Sequence, residues 1–88
     1  MNASGRIDRL LTLNLVPPGQ QVQVMDIRAD QKTNLRLHDL GIVRGATLSV
    51  VQDDGGSLLV AVGDMRLGLA RGLAHRVQVL IAKEEEQL

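Results

Sequence analysis

Residues 35–50 read LRLHDLGIVRGATLSV, and the fold turns on how this stretch is read. At its centre sit His38 and Asp39, residue types that bind metals and move protons. The spacing around them is that of a short helix leading into a strand. Leu37 and Leu40 stand three apart and share one helical face, with Leu35 near its edge, so Arg36, His38 and Asp39 point elsewhere. Asn34 is the expected cap at the start of the helix, and Gly41 the expected glycine terminator. Beyond Gly45, Leu48 and Val50 alternate with Thr47 and Ser49, which is the period of a strand with one buried face.

His38 and Asp39 are therefore read as solvated positions on the helix, with His38 near the last turn, where a cation is mildly favoured. A metal site needs at least three good ligands, and His75 is the only other histidine. The chain has no cysteine, which rules out a disulfide framework, a zinc knuckle and a thiol nucleophile. No Ser, His and Asp are spaced to set a nucleophile beside a base. The reading is a non-enzyme with no cofactor and no metal site.

Outward from this stretch the chain is mainly β. Upstream, an apolar lead (Leu10, Leu11, Leu13, Leu15) meets a turn at Pro17, Pro18 and Gly19. In QQVQVMDIRAD, Val22 and Val24 alternate with glutamines, and Ile27 and Ala29 then fall on the other parity, so a bulge is expected near Met25. Downstream, Asp53–Gly56 joins two alternating runs as a hairpin turn, and Gly63–Asp64 forms a second tight turn. Leu58, Val60 and Val62 are expected on one inward face, and Met65, Leu67 and Leu69 on another. RGLAH is a single helical turn, followed by a strand with Val77, Val79 and Ile81 inward; residues 82–88 form a charged tail. The expectation is five short strands with one helix between the first two, bent into a small barrel whose closure removes free strand edges.

Composition narrows the function. An 88-residue chain is one domain, burying roughly 60–65% of its unfolded surface. Ten Lys+Arg balance ten Asp+Glu, and Phe, Tyr and Trp are absent. Neutral charge argues against binding nucleic acid through phosphates. Without aromatic faces, base stacking, proline-peptide grooves and methyl-lysine cages are unavailable. No apolar run approaches a membrane span, and the first residues lack a signal-peptide pattern, so a cytoplasmic location is expected.

The order of these pieces resembles the ferrous iron transport protein A family, FeoA. The family pattern has a Leu-rich lead, a Pro/Gly turn and a Val-alternating strand, matched by LNLVPPGQQVQV. Its central Arg-Leu-x-x-Leu-Gly-Ile/Leu stretch, followed by x-x-Gly and a strand, is matched by Arg36, Leu37, Leu40, Gly41, Ile42 and Gly45. Its closing pattern is matched by Leu69, Ala74, Val77 and Val79. The likeness covers roughly residues 10–81. It departs at the polar QDDGGS loop, where relatives often carry an apolar segment, and at Leu73, where many have Glu.

The resemblance implies an SH3-like barrel in the cytoplasm that binds and modulates FeoB, the membrane ferrous iron permease with a GTP-binding domain. Arg36, Leu37, Leu40, Gly41, Ile42, Gly45, Leu69 and Ala74 are its motif residues, structural or partner-facing. The alternative is a free-standing metal-responsive module like the C-terminal domain of iron-dependent repressors, for which His38 and His75 would be the first positions to change. An RNA-associated barrel is a third reading, disfavoured by charge and composition. Homo-oligomers through a strand edge stay open.

Overall fold

The computed structural model describes residues 9–81. The elements run β1 (Arg9–Thr12), a 3-10 turn (Leu13–Leu15), β2 (Gln21–Ile27), α1 (Gln31–Asp39), β3 (Thr47–Asp53), β4 (Ser57–Val62), β5 (Met65–Ala70), α2 (Arg71–Ala74) and β6 (Val77–Ile81). All six strands form one antiparallel sheet in the order β1-β6-β2-β3-β4-β5. The charged tail expected at residues 82–88 lies outside the described residues.

Alternation places the core where the sequence indicated. Val22 and Val24 on β2, Leu48 and Val50 on β3, Leu58 and Val60 on β4, Leu69 on β5, and Val77 and Val79 on β6 are all buried. Leu13, Val16, Leu37, Ile42 and Ala74 seal the ends of this core. Among the described residues every buried side chain of the core is aliphatic, and none is polar or charged. Burial of branched aliphatics is the driving force, at roughly 25 cal/mol per Å². The inward set thins at the sheet's margins: Val62, Leu67 and Ile81 are half-buried, and Met65, expected inward, is 49% exposed on the edge strand.

The bulge near Met25 is present. The β2–β6 register shifts between Val24 and Asp26, which moves Ile27 onto the inward parity. A second register shift, between Val50 and Gln52 on β3, was not foreseen from the sequence; Val51 sits there with its side chain 37% exposed. Both expected hairpin turns form, with Gly55 at φ 92° and Gly63 at φ 60°.

Three expectations need correction. There are six strands, because the apolar lead pairs with β6 through residues 9–12 as β1. The sheet is not hydrogen-bonded shut: β1 and β5 are its two ends, with no pairing between them among the described residues. Those edges are blunted by the brevity of β1 and by Arg66 on β5. The cap of α1 is Asp30, whose carboxylate accepts the Thr33 N–H at 2.8 Å, and the helix begins one residue later. Asn34 lies within that helix, and its side-chain amide donates to the Ala29 carbonyl at 3.2 Å.

Candidate functional site: the helix–turn motif and its groove

The central motif owes its spacing to the way α1 ends. Gly41 stands at φ 88°, its N–H donates to the His38 carbonyl at 2.9 Å, and the Ile42 N–H reaches back to the Leu37 carbonyl at 2.9 Å. This is a Schellman termination, in which two orphan carbonyls are satisfied and an apolar residue after the glycine packs on one in the last turn. Leu37 and Ile42 are that pair, and both are fully buried. Leu-x-x-Leu-Gly-Ile is thus a helix stop that turns the chain back over the sheet.

The turn that follows is as specific. The Ala46 N–H donates to the Val43 carbonyl at 3.0 Å, and Gly45 takes φ 91° at the third position, as a type II turn requires. The Gly45 N–H then donates to the Val24 carbonyl at 2.7 Å, and the Val24 N–H to the Ala46 carbonyl at 2.8 Å. These bonds dock the turn against β2 immediately before its bulge. The bulge aims Asp26 across the strand, where its carboxylate accepts from Arg44 at 3.1 Å and lies 3.6 Å from Arg28. The Arg44 guanidinium, followed by the Ile27 N–H, holds the Asp26 carboxyl below the usual carboxylate range.

Between α1, the end of β2 and this turn lies an open groove of about 330 Å³. Ile27, Leu35, Ile42 and Val43 give it an aliphatic floor, and Asp26, His38 and Arg44 stand on its rim. Leu35 is 58% exposed there. Arg28 stands next to this rim through its contact with Asp26, and its backbone N–H donates to the Arg76 carbonyl at 2.8 Å. Asp30 faces Arg76 as well, but its carboxylate is occupied by Thr33, whose hydroxyl and backbone N–H hold its pKa down.

The eight motif residues do not form one surface. Leu37, Ile42, Leu69 and Ala74 belong to the core. Gly41 and Gly45 serve the backbone. Leu40, expected beside Leu37 on one covered face, is the helix C-cap and 37% exposed. Arg36 is exposed, and its side chain makes no hydrogen bond within the described residues. At 100° per residue it projects on the flank of α1 away from the groove that Leu35 and His38 line. His38 and Asp39 are both exposed, as read from the sequence. Among the described residues no group of three or more His, Cys, Asp or Glu is placed to hold a metal ion.

The residue that sequence reasoning missed is Arg71, at the start of α2. Its guanidinium donates to the Asp53 carboxylate, to the Gly55 carbonyl and, at 2.9 Å, to the Asn14 carbonyl. It joins the β3–β4 hairpin, α2 and the 3-10 turn, and its hydrogen bond, followed by that of the Gly55 N–H, holds the Asp53 carboxyl low. A lone arginine before a glycine carries no local signal of such reach. The asymmetry of the QDDGGS loop, with Asp53 opening it, was the only available hint.

Comparison with known proteins follows the same segment boundaries. The FeoA domain model matches residues 11–80. A FeoA from Chlorobium tepidum superposes with a TM-score of 0.78 at 29% identity, covering 86% of this chain and 74% of that one. An iron uptake regulatory protein (FeoA), known from a monoclinic crystal form, gives 0.77 at 28% identity, covering 81% and 96%. The zinc-complexed FeoA of Stenotrophomonas maltophilia, described as a procaryotic SH3 domain protein, gives 0.69 at 32% identity over 78% and 88%. A manganese-dependent transcriptional repressor shares the fold, with a TM-score of 0.76 at 20% identity over 85% of this chain and 43% of that one. No curated sequence matches significantly. The bent sheet is accordingly SH3-like, and the chain belongs to the FeoA domain family.

Proposed function

We infer that this protein is a non-catalytic accessory component of a bacterial ferrous iron uptake system, acting in the cytoplasm by binding and modulating the permease FeoB. The observation that carries this reading is the family match across residues 11–80, over a fold with aliphatic core residues throughout. One relative carries the suggestion of a ferrous iron transport activating factor. In the described residues, no helix is long and apolar enough to cross a membrane, so transport itself would belong to a partner. The likeness to a metal-dependent repressor, at 20% identity, speaks for the fold alone.

Affinity capture of the tagged full chain from its own membranes tests the reading, with mass spectrometry of the retained proteins. The expected result is a polytopic membrane protein bearing a GTP-binding domain. A clean deletion strain should also lose ferrous iron uptake under anaerobic, iron-limited growth; normal uptake in that strain would sink the proposal.

A further inference from the structure

The groove beside α1 has a property that neither family membership nor the motif explains. Its lining combines the branched aliphatics Ile27, Leu35, Ile42 and Val43 with Asn34, and the arginines on and beside its rim offer more guanidinium donors than the local carboxylates use. Arg44 makes one hydrogen bond, to Asp26, with its side chain 75% exposed. Arg28 has a single ionic contact, at 3.6 Å, and is 67% exposed. Arg76 gives one N–H to the Arg28 carbonyl at 3.3 Å. Each guanidinium has five N–H donors, so most of this capacity faces water. Of the two carboxylates nearby, Asp30 is committed to capping α1 and Asp26 is shared by two arginines.

We propose that this groove receives a short acidic segment of a protein partner, which lays an aliphatic side chain on Leu35, Ile42 and Val43 while its carboxylates engage Arg28 and displace Asp26 from Arg44. This rests on the accessory reading above and specifies the chemistry of the partner's contact. Asp26 acts as a resident counter-ion: it keeps Arg44 poised over the groove in the free protein and is released to solvent on binding. Asp26 loses its partners in this exchange, but its side chain is 40% exposed, so the freed carboxylate is hydrated and no buried charge is left uncompensated. Discrimination comes from repulsion, because a basic segment would set its charge against Arg44 and the neighbouring Arg28.

Other occupants fit less well. A nucleic acid would find no aromatic face anywhere in the chain. An anionic membrane is held by clusters of four to eight basic residues, whereas here three arginines share two carboxylates. The apolar surface is also recessed in a groove rather than presented on a convex face.

The test is an NMR titration of the full-length, isotope-labelled protein with three probes. These are a synthetic peptide carrying two leucines flanked by glutamates, the same peptide with lysine for glutamate, and phosphatidylglycerol vesicles. Saturable shifts are expected with the acidic peptide alone, confined to Ile27, Leu35, His38, Val43 and Arg44, and weakening as salt rises. Arg44→Glu should lower affinity for the acidic peptide about tenfold or more and gain affinity for the lysine peptide, a reversal that mere structural damage would not produce. Leu35→Ser should weaken binding, while Met65→Ser, at an exposed apolar site on edge strand β5, should not. Equal binding of both peptides, no saturation at millimolar peptide, or shifts with vesicles alone would overturn the proposal. Membrane capture with Arg44→Glu separates this from the accessory role. Permease retained by the variant as well as by the parent chain removes the groove and spares that role. Permease retained by neither removes the role, and the peptide titration still decides the groove.

Discussion

Gly41 and Gly45 both stand at positive φ, but they differ in what surrounds them. A Cβ on Gly45 would meet open space, whereas one on Gly41 would lie 3.2 Å from the Cγ1 of Val62. The left-handed conformation costs an L residue roughly 1–2 kcal/mol. Gly45→Ala is therefore expected to lose about that much, and Gly41→Ala more, because β4 must also yield. Gly72 supplies the contrast: its φ is not positive and nothing lies near its Cβ position, so Gly72→Ala should be neutral or slightly stabilising. Urea denaturation of the three variants, compared at equal m-values, checks the order. Side-chain economy is visible at the same scale in Arg71, whose planar fork spans three backbone segments in a way the compact ammonium of lysine does not.

At the scale of the element, α1 is a mostly polar helix held by few apolar contacts. Leu37 is its one buried residue, fixed against Ile42 by the Schellman termination. Leu35 and Leu40 remain largely available to solvent or to a partner. Leu37→Ala is expected to cost about 2–5 kcal/mol, the range for emptying a leucine site in a packed core. Leu40→Ala should cost about 1 kcal/mol or less, as at most surface positions. Thermal unfolding followed by circular dichroism distinguishes them; equal losses would mean that Leu40 is covered after all. The same helix shows how function and stability divide: one face secures the domain and the neighbouring faces stay free for recognition.

At the scale of the molecule, three carboxylates among the described residues shape the response to acid. Asp26, Asp30 and Asp53 are each held below the ordinary value of 3.8, by Arg44, by Thr33 and by Arg71 respectively. Their folded pKa values are depressed, so the unfolded chain binds protons first as pH falls, and stability rises with pH in that region. The contribution is present in full well above 3.8 and is lost as pH falls through and below that value. Melting temperature should thus be nearly level from neutrality down to about pH 5 and fall below it. Asp53→Asn should flatten part of the acid limb, and salt should shrink it, since these pairs are solvent-screened. A melting temperature that climbed on acidification would contradict the assignment.

Much of this was legible in the sequence because the signals are local. Alternating valines and leucines mark the strands, Asp-Gly and Gly-Asp pairs mark the hairpins, and the Leu-x-x-Leu-Gly-Ile spacing marks a glycine-terminated helix, each within a few residues. The parity change after Val24 even announced the bulge. What tertiary structure alone decided depends on residues far apart. Arg9–Thr12 is a strand only because β6 offers it a hydrogen-bonding edge, with residue 9 opposite Ile81. Asp30 rather than Asn34 caps α1, although both are capping types, because the chain leaving β2 sets where the first free N–H groups lie. The groove exists because the bulge aims Asp26 at Arg44, 18 positions on. Periodicity records which face of an element is buried, but the meeting of two surfaces is settled only when the strands pair and the core closes.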